Sequence, residues 1–275
     1  MKNKKKILAA ALAVCLLGTI SYSTLAWFNA SQSVTNKFMV ATTGTGAGGS
    51  NEPAEKTFSL DLFEVVDKNG DGTVDPTNEK IAYRSDATEG WDYEDILPGV
   101  EYHKQPIVEN TGSYDQYIRV VVTLSNATKW QTVLPAGYDL GKIFLNHDEN
   151  VWVRDEAIKL QNGTTVSVLT DTVADTISYV YYLKDALAPG STETLFTAVK
   201  LPEHLTQEDM AKLAVQDPAT GEWSIDFDIA VRADAIQTKG IIIDQSITPV
   251  AKATFEGANW TADVSYADRA VLPTP

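Results

Sequence analysis

The sequence predicts an all-β protein, a jelly-roll-like β-sandwich carrying one short inserted helix at about residues 206–215. Three observations lead there. From Thr57 onward, short segments dense in β-branched and aromatic residues recur along the chain. Gly-, Pro- and Asn-containing turn signals separate them. Strands do not alternate with long helical patterns, so a parallel α/β architecture is not expected.

The strand segments are Phe58 to Val66, Tyr117 to Leu124, Thr165 to Leu169, Ile177 to Leu183, Ser224 to Arg232 and Gly240 to Ile247. Between them lie Leu97-Pro98-Gly99, Asn110-Thr111-Gly112, Gln161-Asn162-Gly163, Ala188-Pro189-Gly190 and Asp217-Pro218. The helix is marked by Thr206-Gln207-Glu208-Asp209, a capping box with Asp in place of the usual Glu or Gln. Met210, Leu213 and Ala214 form its expected buried face.

The start of the chain has another character. Lys2, Lys4, Lys5 and Lys6 make a basic leader, and Ile7 to Ile20 is an apolar run. Thr24 and Ala26 are small residues at the −3 and −1 positions of a cleavage site. This is the pattern of a secretory signal, residues 1–26, removed between Ala26 and Trp27. A membrane-spanning helix needs about 20 apolar residues, and here polar Ser21 and Ser23 follow a shorter run. Residues 27–40 then form a short apolar island. Residues 41–56 are rich in Gly, Thr and Ser and read as a linker. Residues 57–275 are the expected sandwich domain.

Charge and cysteine content narrow the function classes. The chain has 275 residues and a net charge of −15. Without the signal, 18 basic face 37 acidic residues, a net of −19. Such a surface repels nucleic acid and anionic membranes. The single cysteine, Cys15, lies in the signal. The processed chain therefore has no disulfide and no thiolate chemistry.

The sharpest chemical motif runs from Asp67 to Asp75. It matches the D-x-[DN]-x-[DN]-G pattern of a calcium loop, with Asp67, Asn69, Asp71, the Thr73 carbonyl and Asp75 as oxygen ligands. The twelfth position is Asn78, and Glu79 follows one residue late, after Pro76. Glu79 or a carboxylate from elsewhere would complete the set. The flanks read as strands, so calcium here sits in a β-hairpin and not between two helices. The alternative is an Asn-Gly/Asp-Gly turn that binds nothing.

Catalysis has little support. Only His103, His147 and His204 are present, no two are four apart, and no H-E-x-x-H or G-x-S-x-G occurs. His204 and Glu208 read as a solvated helix pair. Trp91, Tyr93, Trp130, Trp152, Trp223 and Trp260 read as core or edge residues before they read as a sugar platform. A non-enzyme is expected.

Two blocks resemble a known family. The first is Thr24-Leu25-Ala26-Trp27-Phe28-Asn29-Ala30-Ser31, continued by Val34-Thr35-Asn36-Lys37-Phe38. The second is Ile96-Leu97-Pro98-Gly99-Val100-Glu101-Tyr102-His103-Lys104, with Ile107-Val108-Glu109-Asn110-Thr111-Gly112 and Tyr117-Ile118-Arg119-Val120. They resemble the signal junction and core of the TasA/camelysin (CalY-like) family, Gram-positive biofilm-matrix proteins processed by a signal peptidase of the SipW type. The likeness covers the first 40 residues and 96–124. The Gly-rich linker, the acidic loop at 67–79 and the helix near 206 depart from it. The resemblance implies a jelly-roll fold and a secreted structural subunit of extracellular fibres. It implies a donor strand at Phe28, Val34, Phe38 and Val40 that adds to the next subunit's sheet. Expected partners are further copies, the dedicated signal peptidase, and other matrix proteins or polysaccharide. Neither nucleic acid nor, after cleavage, a membrane is expected. Three alternatives stand beside this. Residues 28–40 could pack on their own domain. The chain could be a monomeric calcium-stabilised adhesin or carbohydrate-binding module. The camelysin branch also suggests a metallopeptidase.

Overall fold

The computed structural model describes residues 25–27, 38–39, 57–65, 80–82, 96–216, 223–239 and 241–263. Within them the chain is built mainly of antiparallel strands with a few short helices, so the all-β expectation holds.

The first layer is built on two strands whose apolar residues do not alternate. These are β8 (Gln116–Leu124) and β14 (Thr176–Leu183). A continuous apolar run of strand length marks burial on both faces. On one face Ile118, Val120, Val122 and Leu124 of β8 join Tyr179, Tyr181 and Leu183 of β14 in the main core. On the other face Val121, Val180 and Tyr182 join a second cluster. β19 (Ile229–Gln237) pairs with the far side of β8, in register from Ile229 opposite Leu124 to Gln237 opposite Gln116. The other side of β14 is shared by β10 (Trp152–Arg154) and β13 (Leu169–Asp171).

The second layer contains β4 (Asp61–Val65), β5 (Lys80–Ala82) and β7 (Gln105–Glu109), with β15 (Thr192–Thr194) beyond β7. β6 (Glu101–His103) and β16 (Ala198–Lys200) extend the β7–β15 ladder past a kink, and β9 (Phe144–Leu145) adds to β16. Lys104 N–H donates to the Thr197 carbonyl at 3.2 Å and keeps the ladder closed through the kink. Leu60, Leu62, Val108, Phe196 and Val199 from this side enter the same core as the first layer. Each such fully buried aliphatic or aromatic side chain contributes about 1.5–3 kcal/mol.

Smaller ladders complete the sheet structure. β1 (Leu25–Trp27) lies parallel to β18 (Trp223–Asp226), which also pairs with β17 (Val215–Gln216). β2 (Phe38–Met39) pairs with β3 (Thr57–Phe58), and β11 (Ile158–Lys159) with β12 (Thr165–Val166).

The helix content differs from the expected single helix. α1 (Ala127–Val133), α2 (Gln207–Leu213) and α3 (Val250–Gly257) all form, with a 3-10 turn at Leu140–Ile143. α2 is the expected one, with its box intact: Asp209 N–H donates to Thr206 Oγ1 at 3.2 Å, and Thr206 N–H donates to the Asp209 carboxylate at 3.0 Å. Met210 and Leu213 are buried, and Ala214, its C-cap, is half-buried. α1 has no cap of its own. Asn126 stands before it at φ +56°, and the Asp175 carboxylate, from the turn between β13 and β14, accepts from Thr128 N–H at 2.9 Å. A cap supplied from 47 residues away leaves no local signal.

The expected strand at Gly240 to Ile247 is not a strand over its described residues. Asp244 Oδ1 accepts from both the N–H and the hydroxyl of Ser246, and this local turn competes with a ladder. The segment instead passes close to α3. A Cβ on Gly257 would lie 2.3 Å from the Ile242 carbonyl oxygen. α3 itself covers the outer face of the first layer, with Ala251 and Phe255 packed among Val121, Val180, Tyr182 and Ile236.

Candidate assembly elements and the buried polar motif

Two parts of the N-terminal segment lie within the described residues, and both are strands. Ala26 and Trp27 stand in β1, opposite Ile225 and Asp226 of β18. The expected cut therefore falls inside a paired strand. Phe38 stands in β2 opposite Phe58. The rest of the expected signal, and Phe28, Val34 and Val40 of the expected donor strand, lie outside the described residues.

The calcium loop also lies outside them, with Asp67, Asn69, Asp71, Thr73, Asp75 and Glu79. Its base does not. Val65 is the register partner of Lys80, Glu64 of Ile81 and Phe63 of Ala82. Residues 66–79 thus join two antiparallel strands, the hairpin setting expected for them. Among the described residues, no group of three His, Cys, Asp or Glu side chains is placed to hold a metal ion.

The polar residues of the second family-like block are structural. Pro98-Gly99 makes a turn in which Gly99 has φ +77° and donates its N–H to the Leu201 carbonyl. Lys104, between β6 and β7, is buried with its Nζ 2.8 Å from both carboxylate oxygens of Glu64 on β4. Asn110 is buried with its amide fully used. Its Nδ2 donates to the Tyr114 and Leu187 carbonyls, and its Oδ1 accepts from Gly112 N–H and from Gln116 Nε2. Arg119 is 0% exposed. Its Nε and Nη2 reach Asp234 Oδ2 at 2.9 and 2.7 Å, and its Nη1 donates to the Trp260 carbonyl at 2.8 Å. The guanidinium also lies 4.5 Å from the centre of the Phe255 ring. Sequence reasoning gave these side chains no role. The available signal was a charge set inside an otherwise apolar strand, as Arg119 is between Ile118 and Val120.

A half-exposed cluster at the β10 edge is the richest titratable group. Arg154 pairs with Asp139 and Glu156, and its guanidinium lies 4.5 Å from the Tyr179 ring centre. Gly141 lies close beneath it, and a Cβ there would be 2.7 Å from Arg154 Nη1, so the guanidinium would have to shift. Burial pushes the Asp139 carboxyl up, but hydrogen bonds from Arg154 and Gly141 N–H, with the Arg154 charge, hold it below the ordinary range. Burial pushes the Tyr181 phenol up to about 12. With Asp139 held ionised and the phenol held neutral near neutral pH, these groups brace β10.

The histidines stand apart. His103 ends β6, and His204 is exposed with its ring edge against Tyr138. His147 sits 5.2 Å from the Tyr181 ring, and burial pushes its imidazole below the ordinary value. Glu208 pairs with Lys212 on the solvent side of α2. Trp130, Trp152 and Trp260 are buried, so they form no exposed sugar platform. Comparison with protein-family models, with curated proteins and with solved structures finds no match.

Proposed function

We propose that this chain is a secreted structural subunit of extracellular matrix fibres, of the TasA/camelysin type, on a jelly-roll-like sandwich. Subunits join head to tail, each adding its N-terminal segment as a strand to the next. One observation carries the reading: the segment pairs at both its ends, Trp27 through β1 on β18 and Phe38–Met39 through β2 on β3, beside an all-β body. A segment that pairs in its own subunit can make equivalent pairings in a neighbour, and the Gly-rich residues 41–56 give it the reach. A head-to-tail contact of this kind does not close, so it propagates. Calcium at the hairpin 66–79 would stiffen the subunit, and a dedicated signal peptidase would release the segment by cutting between Ala26 and Trp27.

Electron microscopy of the processed protein with and without residues 27–41 tests the reading. The intact form is expected to give filaments and the truncated form monomers. Equal filament yields from both would remove strand donation.

A further inference from the structure

We infer that residues 241–243 pair antiparallel with the same three residues of a second copy, across a two-fold axis at Ile242, to make a side-by-side contact between subunits. Burial alternates along this stretch, with Ile241 and Ile243 half-buried and Ile242 and Asp244 exposed. That is the period of an extended strand. The stretch nevertheless joins no ladder, and among the described residues none of its three isoleucines makes a hydrogen bond. Ile242 is 93% exposed. A single exposed apolar side chain is ordinary. An extended β-branched run with an unpaired main chain is not, because its N–H and C=O groups are a template for another chain.

The stretch is held in place and offers one side. Ile241 packs against the cluster beneath α3. The Ile242 carbonyl lies against α3, where Gly257 leaves room for it. In an extended chain the main-chain groups of neighbouring residues point to opposite sides. With Ile242 turned to the helix, the N–H and C=O of Ile241 and Ile243 turn away from it. An antiparallel partner centred on Ile242 meets those groups. Ile241 of each copy then exchanges both its bonds with Ile243 of the other, and the two Ile242 residues form the close pair between them. Their exposed side chains stand together and leave water.

Charge selects the same partner. The processed chain sets 18 basic against 37 acidic residues, so copies repel over most of their surface. Residues 239–250 carry one charge of each sign, Lys239 before the isoleucines and Asp244 after them. Antiparallel approach brings Lys239 of each copy to the Asp244 end of the other, whereas parallel approach sets like beside like. The contact is isologous and closes on two copies. It is therefore distinct from head-to-tail joining and stands whether or not fibres form. Three residues a side are far fewer than the roughly 20 to 30 of a stable interface, so single subunits meet there transiently.

Disulfide trapping captures a transient contact, and the processed chain has no cysteine of its own. Ile242→Cys and Val173→Cys, each in the processed protein, are treated with mild oxidant and followed on non-reducing gels. Val173 is the matched control, 96% exposed but with its N–H already donated to Asp171. Ile242→Cys is expected to give homodimer roughly tenfold faster, since directly opposed Cβ atoms lie about 5 Å apart. Adding Lys239→Glu should slow that link several-fold and leave the 173 rate nearly unchanged. Equal rates at 242 and 173, or a 242 rate that Lys239→Glu does not alter, overturn the pairing. Neither measurement needs filaments, so a fast 242 link without them retains this contact and removes only the fibre reading.

Discussion

At the scale of single residues, the polar side chains that mark this sequence hold the fold together. Arg119 is the clearest case, a guanidinium buried on the outer face of β8 and satisfied by Asp234, the Trp260 carbonyl and the Phe255 ring. A buried ion pair adds little net stability over a well-packed apolar pair, but removing one partner leaves a bare charge. Arg119→Met is therefore expected to lose about 3–5 kcal/mol. Arg119→Lys should also lose heavily, because an ammonium cannot span the Asp234 carboxylate and the Trp260 carbonyl as the planar fork does. The double variant Arg119→Met with Asp234→Leu should recover most of the loss. Urea midpoints of the four proteins measure this. A loss under about 1 kcal/mol in Arg119→Met would contradict the buried geometry, since surface changes have that size.

At the scale of elements, the sequence is readable wherever the cause of an element is local. β8 and β14 follow from their own β-branched and aromatic runs, and α2 from its own capping box. Elements caused at a distance are hidden. α1 starts on the Asp175 carboxylate from another turn, and α3 begins after Pro249 with no side-chain cap and is held by the sheet it covers. Residues 240–247 carry the β-branched composition of a strand but lose to the Asp244–Ser246 turn. At the N-terminal end, strands at Phe58 and near Ser224 were legible from their own composition, whereas β1 was hidden within the signal pattern, and its pairing with β18 across about 200 residues leaves no mark in spacing. The β4–β5 hairpin lies between these cases. Its base is set by the register Val65 to Lys80, and its loop holds the calcium pattern. A ligand present at 100 times its Kd stabilises the folded state by about 2.7 kcal/mol. Saturating calcium should therefore raise the melting temperature of the processed protein by several degrees, and a chelator should reverse it. Asp67→Ala with Asp71→Ala should abolish that shift while leaving the calcium-free melting temperature unchanged. An equal shift in both proteins would place the ion elsewhere.

At the scale of the whole molecule, acidity acts on association and on stability in different pH ranges. The full sequence has an isoelectric point near 4.5, so the strong negative charge at pH 7 is gone by then. Repulsion between subunits weakens as pH falls towards that value, and self-association should quicken. Stability follows the individual groups. Asp139, Asp175, Asp209 and Asp244 are all held below the ordinary carboxyl value, Asp139 mainly by Arg154 and Gly141 against the opposing effect of burial, Asp175 by Thr128, Asp209 by Thr206 and Asp244 by Ser246. For each, the unfolded chain takes up the proton first as pH falls. Their contribution is complete above about pH 3.9 and is lost as pH drops through the folded values. His147 has the same sign in a higher window, because burial keeps it neutral. The unfolded chain binds its proton from about pH 6.5 downward, so a small loss begins there. The urea midpoint should thus fall slightly between pH 7 and 5, and His147→Gln should flatten that part of the curve. It should then fall steeply below about pH 4. Light scattering should show assembly of the processed protein quickening as pH falls from 7 towards 4.5, while the fold is still intact. A steep loss of stability between pH 7 and 5 that persists in His147→Gln would mean that other groups govern the acid response.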